Sequence, residues 1–236
     1  MALRSLLFRK SYLPHAEGSC LVSMGKTQVL CVATVENEVP PHAKEKGTGW
    51  VHSEYAMLPR AGEKRSPRSR VTSGGRVQEI SRLVGRSLRA AVNLADLGER
   101  TITIDCDVIR ADGGTRTASI NGGFVALTEA LLRLWKQGDL SRWPLRSFVG
   151  AVSVGLYRGK PVLDMCYEED KEAQADVNVV MTQEGEFVEI QGTAEERPFP
   201  KSDLERLLAM ARGGIRTINL AQKKVLGRLP DFSASR

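Results

Sequence analysis

The chain has 236 residues, 42% of them hydrophobic and 26% charged, with a formal net charge of +6. That is the composition of a globular protein with a real core, and no apolar run approaches the ~20 residues needed to span a bilayer. The positive surplus suits a polyanionic partner.

The four cysteines, Cys20, Cys31, Cys106 and Cys166, form no Cys-x-x-Cys pair and sit in apolar, strand-like contexts. They are read as buried free thiols of a reducing compartment, the cytoplasm. The three histidines, His15, His42 and His52, lack metal-ligand spacing, so no zinc site is expected.

In chain order, Met1 to Lys10 is basic, free of acid and partly apolar. It is read as a first strand or arm within residues 1–16; a transit peptide has a similar composition. Ser19 to Met24 and Thr27 to Val35 predict a hairpin across Gly25-Lys26. A polar loop with Pro40 and Pro41 follows, then a strand from Gly49 to Leu58. Pro59 to Gly75 is an irregular basic stretch. Val77 to Asn93 carries Ile80, Leu83, Val84, Leu88, Ala91 and Val92 at helical spacing. Thr101 to Val108 alternates polar and apolar as a half-buried strand does. From Thr117, apolar Ile120, Phe124, Leu127, Leu131 and Leu134 recur at helical spacing.

The second half echoes the first. Phe148 to Tyr157 and Pro161 to Tyr167 predict one hairpin, Asp176 to Thr182 and Phe187 to Gln191 another. A helix follows over Ser202 to Leu226, with Gly213-Gly214 marking a kink or a close packing contact. The residues from Arg228 to 236 read as a frayed tail. Strands then helices, twice over, give an α+β fold with a duplicated strand-helix unit, taken as one domain over residues 1–236.

Three features bear on chemistry. The first is Asp112-Gly113-Gly114-Thr115-Arg116-Thr117, at the junction of a strand and a helix. Two glycines allow a tight turn and close approach to a ligand. The helix start presents free N–H groups and the positive end of the dipole, Thr115 adds a hydroxyl and Arg116 a guanidinium. Together they suit a small oxyanion such as phosphate; the bland reading is a turn with an N-capping threonine. Arg76 follows Gly74-Gly75 at a second glycine-helix junction and could converge on the same anion.

The second feature is the cationic loop holding Arg60, Lys64, Arg65, Arg68, Arg70 and Arg76 against one acid, Glu63. It suits a phosphodiester backbone, and without an aromatic residue it has nothing to stack on bases. A solvated surface loop is the plain alternative. The third is a pair of carboxylates. Asp170 lies in the acidic loop Glu168 to Glu172, and Asp176 opens a strand in which Asp176, Asn178 and Val180 share a face. A carboxylate at a strand mouth can bind Mg²⁺ or donate a proton; most loop aspartates are merely solvated.

Several segments then fall into one pattern: Glu17-Gly18-Ser19, Gly25 to Cys31, Glu54 to Arg60, Gly74-Gly75-Arg76, Ile80 to Arg89, Asp112 to Ser119, Asp176 to Thr182, Gln191 to Glu195 and Ala211 to Ile215. In this order they resemble the bacterial RNase PH family, phosphate-dependent 3′→5′ exoribonucleases that trim tRNA precursors. The family's Arg-Pro-Asp-Gly-Arg type of N-terminal arm is absent here.

The resemblance implies the ribosomal-protein-S5-domain-2-like fold and a homohexameric ring, a trimer of dimers. It implies that Arg76, Gly114, Thr115 and Arg116 bind phosphate, the co-substrate. It implies that Asp170 and Asp176 are catalytic and hold Mg²⁺, with Asp176 the general acid. Arg60, Arg65, Arg68 and Arg70 match the RNA-contacting loop. The expected function is phosphorolytic trimming of RNA 3′ ends, tRNA precursors included, with release of nucleoside diphosphates. Two alternatives remain at this point: a non-catalytic RNA-binding ring subunit of an exosome-like complex, and a metal-dependent hydrolytic nuclease.

Overall fold

The computed structural model describes residues 3–195 and 197–235. Strands β1 (Leu6–Lys10), β2 (Gly18–Met24) and β3 (Thr27–Glu36) form an antiparallel run, and β2 and β3 turn through Gly25 at φ 58°. A short helix α1 (Pro41–Lys44) leads to β4 (Trp50–Met57). Helices α2 (Arg68–Ser73) and α3 (Gly75–Ala90) follow, then a 3-10 turn, Leu94–Leu97, and β5 (Thr101–Arg110). The strands make a five-stranded sheet of order β1-β2-β3-β5-β4, antiparallel except where β4 runs parallel to β5.

Helix α4 (Thr115–Gln137) crosses from this sheet to a second, antiparallel sheet of order β7-β6-β8-β9. Its strands are β6 (Val149–Tyr157), β7 (Lys160–Leu163), β8 (Ala175–Thr182) and β9 (Phe187–Ala194). Helix α5 (Tyr167–Lys171) lies between β7 and β8, and α6 (Lys201–Leu226) closes the chain over β6 and β7. The two halves therefore share a plan of hairpins and helix, but only the first contains a parallel pair.

Helix α4 is buried almost all round, from Thr117 through Thr128 without a break. Gly122 faces Val22 and Cys31 of the first sheet, and Gly123 faces Ile104 and Leu88. On its other side Asn121 spans to the second sheet. Its amide nitrogen donates to the Ala151 carbonyl and its amide oxygen accepts the Ala151 N–H, both at 2.8 Å. Phe124 meets Phe148 with ring centroids 5.3 Å apart. The main hydrophobic core thus runs through both sheets, with α4 as its middle layer, and Val162, Met165 and Ala173 form a small satellite. Among the described residues no helix is long and apolar enough to cross a membrane.

Several sequence expectations need correction. The basic stretch is not irregular throughout. After Pro67 it winds into α2, where Thr72 and Ser73 hydroxyls donate to the carbonyls of Arg68 and Ser69. The acidic loop is a helix as well. The Glu169 carboxylate accepts the Cys166 N–H at 3.0 Å, and Glu168, Glu169 and Asp170 fill the first turn of α5, where the helix dipole favours acids. Consequently β7 stops at Leu163 rather than Tyr167, and Cys166 is a half-buried helix cap, unlike its three buried, strand-borne counterparts. Helix α6 runs on through Gly213-Gly214, and Gly214 packs on Leu163.

The tail is docked, not frayed. Trp143 N–H donates to the Ala234 carbonyl at 2.9 Å, Ser235 bridges to Arg142, and Phe232 packs on Phe148. Of the arm and the tail, residues 1–2 and 236 lie outside the described residues; Leu6–Lys10 of the arm is strand β1.

Two glycines test this packing in opposite directions. A Cβ on Gly18 would stand 2.1 Å from the Ala126 carbonyl oxygen and 2.7 Å from Ala130 N, backbone atoms of the central helix. Gly18→Ala should cost about 1–3 kcal/mol in urea unfolding. A Cβ on Gly213 meets nothing within 4 Å, so Gly213→Ala should gain about 0.5–1 kcal/mol by helix propensity. A neutral Gly18→Ala would mean that α4 does not seat on β2 as described.

Candidate phosphate and RNA cleft

The turn between β5 and α4 is set by two left-handed residues, Gly113 at φ 75° and Gly114 at φ 65°. Only glycine fits at Gly113, because a Cβ would lie 2.4 Å from the Met165 carbonyl oxygen and 2.7 Å from Cys166 C. Gly114, not Thr115, is the N-cap of α4, and among the described residues no side chain caps the helix. The first-turn N–H groups of α4 are therefore left without a side-chain acceptor, as an anion site requires.

Three side chains hold this turn from behind. The Thr27 hydroxyl donates to the Gly113 carbonyl at 2.6 Å and accepts the Asp112 N–H at 2.9 Å. The Arg4 guanidinium donates to the Asp112 carbonyl at 2.6 Å and to Asp164 Oδ1 at 2.6 Å. Asp164 is a fully buried carboxylate at φ 57°, and its Oδ2 also accepts the Arg4 N–H. Asp112 Oδ1 in turn accepts the Tyr167 N–H at 3.4 Å, the entrance of α5. The glycine turn of the first half and the acidic helix of the second are thus tied to each other.

In front of the turn opens a cleft of about 920 Å³. Six residues singled out in the sequence line it: Arg76, Gly114, Thr115, Arg116, Asp170 and Asp176. Arg116 is half-buried; its Nη1 donates to Gln191 Oε1 at 3.3 Å and lies 3.7 Å from Glu79 Oε1. Arg76 has no ion pair among the described residues. The arginines Arg60, Arg65, Arg68 and Arg70 do not line the cleft. All four are exposed, on the loop and on α2, and Arg60 donates to the Glu63 carbonyl. From that loop it is Gly62, Glu63 and Lys64 that reach the wall.

The carboxylates differ in environment. Asp176 is held inside β8, with Oδ2 accepting from Asn178 Nδ2 at 3.1 Å. Its Oδ1 is buried with no partner among the described residues. Burial, reinforced by the negative charges of Asp170 and Glu195, pushes its pKa up to about 6, against the pull of Arg116 and Asn178. Asp170 is more open on α5. Desolvation raises it too, opposed by Arg116 and Arg76. Two carboxylates, one carrying an unpartnered oxygen, could hold a hard cation that keeps most of its water. Among the described residues no three acidic, histidine or cysteine side chains gather into a fuller metal cage.

Sequence reasoning missed Arg4, Thr27 and Asp164, whose part depends on contacts across the chain. It also missed the cleft acids Glu79 and Glu195. Asn178 was visible as a neighbour on the Asp176 face of its strand, which is the relation the hydrogen bond uses.

Comparison with known proteins agrees with this layout. The model of the 3′ exoribonuclease family, domain 1, matches residues 2–132, and that of domain 2 matches residues 147–214. The two matched regions correspond to the two sheet units. Among solved structures, Rrp46 of rice (Oryza sativa) superposes with a TM-score of 0.76 at 16% identity, covering 95% of this chain and 96% of that one. An archaeal exosome core chain gives 0.74 at 20% identity, covering 94% and 87%. A chain of the Archaeoglobus fulgidus exosome with RNA bound to the active site gives 0.76 at 21% identity, covering 92% and 88%. At these identities the likeness is one of fold, the ribosomal-protein-S5-domain-2-like arrangement implied by the sequence resemblance.

The clamp behind the turn can be tested by stability. Arg4→Met strands the Asp164 charge in the interior and should cost about 3–5 kcal/mol in denaturant unfolding. Adding Asp164→Asn removes that charge, and asparagine tolerates a left-handed φ, so much of the loss should return. If Arg4→Met costs less than about 1 kcal/mol, the pair does not hold the turn.

Proposed function

Because the chain belongs to the 3′ exoribonuclease family of the RNase PH type, we propose that it shortens RNA from the 3′ end by phosphorolysis, releasing nucleoside diphosphates, with tRNA precursors among its substrates. The observation that carries this reading is the meeting, in one cleft, of a cationic helix start from the first half and a carboxylate from the second whose pKa is raised to about 6.

Inorganic phosphate seats on the first N–H groups of α4, the Thr115 hydroxyl, the Arg116 guanidinium and Arg76. One phosphate oxygen attacks the terminal phosphodiester phosphorus. A P–O bond forms there as the bond to the 3′ oxygen of the preceding nucleotide breaks. Asp176 passes its proton to that leaving 3′ oxygen, for which a pKa near 6 is well matched at neutral pH. The arginines offset the charge that spreads over the transferring group. Arg116 enters this role already oriented by Gln191 and Glu79. Asp170 is the residue that would hold Mg²⁺ while Asp176 carries its proton, and Asp176 would join it as a ligand once that proton has left. Bound there, the ion would offset the negative charge of the scissile phosphate.

The exposed arginines Arg60, Arg65, Arg68 and Arg70 guide the RNA backbone toward the cleft from the adjoining loop and α2. We place the chain in a homohexameric ring, a trimer of dimers. Exposed Leu7, Phe187, Ile190 and Leu220 are apolar surface that such an assembly could cover. The free, buried thiols of Cys20, Cys31 and Cys106 accord with the cytoplasm. The likeness to exosome chains favours a second reading, an RNA-binding ring subunit without catalysis. Against it stand Arg116 and Asp176, both present and both in the cleft.

Product analysis separates the readings. RNA incubated with the protein and phosphate should yield nucleoside diphosphates, and almost none without phosphate. Monophosphates would indicate hydrolysis; no products from correctly folded protein would indicate a binding subunit. Arg116→Ala should lower phosphorolysis by about 10²–10³-fold without unfolding the protein.

The proton on Asp176 sets a pH dependence. The acid form is required, so kcat/KM for phosphorolysis should fall as pH rises above about 6, and Asp176→Asn should lose turnover and this limb together. The same raised pKa makes ionised Asp176 a burden on the fold. Native protein binds this proton more tightly than unfolded chain, so the burden grows from the ordinary carboxylate range up to about 6 and is level above. Asp176→Asn should therefore raise Tm at pH 7.5 and leave it unchanged at pH 3.5. An equal Tm shift at both values would remove Asp176 as the buried acid.

A further inference from the structure

Tyr55 lies in β4, 2% exposed, with no surface on the cleft. Its N–H donates to the Ser81 hydroxyl at 3.0 Å, which ties β4 to α3. Its phenol oxygen is 2.9 Å from Thr115 Oγ1, and Thr115 is only 9% exposed. Two hydroxyls that share one hydrogen bond must divide the roles. A phenol, with a pKa of about 10, is a far stronger acid than an alcohol, and so the better donor and the poorer acceptor. Burial pushes the Tyr55 ionisation up further, although Arg76 and Arg116 nearby pull it down, so the phenol keeps its hydrogen at neutral pH.

Tyr55 is therefore the donor and Thr115 the acceptor. This leaves the Thr115 hydrogen unspent, on a residue that lines the cleft. The Thr115 hydroxyl is held in one rotamer from behind and polarised to donate forward. We propose that Tyr55 is a positioning residue for the anion site: through Thr115 it converts a freely rotating hydroxyl into a fixed donor to phosphate. The inference rests on the phosphorolytic reading for its physiological meaning, but its chemical content is the affinity of the cleft for phosphate.

The test is a cycle of Tyr55→Phe, Thr115→Val and the double variant. Each is measured for phosphate KM and kcat at saturating RNA. Phosphate affinity is read separately from the rise in Tm with phosphate concentration, which needs no turnover. Tyr55→Phe should raise phosphate KM and weaken phosphate binding about fivefold, the usual worth of one neutral hydrogen bond, with kcat and RNA KM within about twofold. In the Thr115→Val background the second change should add nothing to either. A bond that merely joins β4 to α4 would lower Tm equally with and without phosphate and leave the phosphate constants alone. That result, or additive effects in the double variant, overturns the proposal. Wild-type protein that binds phosphate but makes no diphosphates would sink the phosphorolytic reading alone, and the binding cycle would still decide the role of Tyr55. Wild-type protein whose Tm ignores phosphate would overturn both.

Discussion

The cleft depends on a guanidinium turned away from it. Arg4 neutralises Asp164 inside the protein while its other N–H group takes the Asp112 carbonyl. A buried charge pair stabilises little in net terms, but it is intolerant of any other arrangement. With the Asp112 and Gly113 carbonyls occupied by Arg4 and Thr27, and the Asp112 N–H by Thr27, the N–H groups left over are those that follow at the start of α4. Positive φ at Gly113 and Gly114 is the backbone expression of that orientation. Carbonyls spent on the far side thus leave the near side to donors, with Thr115, Arg116 and Arg76 lining the cleft there.

The second half carries a cost of a different kind. Asp176 sits where its charge is poorly solvated and where Asp170 and Glu195 repel it. The tension is eased by Asn178 and Arg116 but not removed, and a carboxyl in that condition gives up its proton about two pH units later than an ordinary aspartate. Arg116 bears on both halves: it lines the cleft beside the start of α4 and pulls the pKa of Asp176 down. Gln191 at 3.3 Å and the Glu79 carboxylate at 3.7 Å fix its Nη1 between the two halves.

Much of this could be read along the chain, because short-range pattern decides it. The alternation in β5, the apolar face of α3 and the glycine pair before α4 each follow from local sequence, and all six residues assigned to phosphate and acid chemistry reached one cleft. The failures were of two kinds. In α2 and α5 the propensity of an isolated short segment was too weak a guide: α5 is secured by a carboxylate reaching its own N-terminus, and α2 by a buried Val71. The tail, Arg4 and Asp164 depend instead on partners more than 80 residues away, as in the 160-residue span from Arg4 to Asp164. No window along the sequence contains both ends of such a contact. The family resemblance supplied what pattern could not, the convergence of separate motifs, but its motifs begin at Glu17 and do not include Arg4.

The all-round burial of α4 has a consequence on the ribosome. The helix is complete at Gln137, yet the sheet that covers Asn121 and Phe124 is not finished until Ala194. At about 5–20 residues per second, the nascent chain carries this uncovered apolar helix for several seconds. During that interval the five-stranded sheet can form, but half of the central layer faces solvent and Arg4 has not met Asp164. The emerging protein is therefore most in need of chaperone cover before its second half appears, and changes that slow translation between α4 and β9 would prolong that exposure.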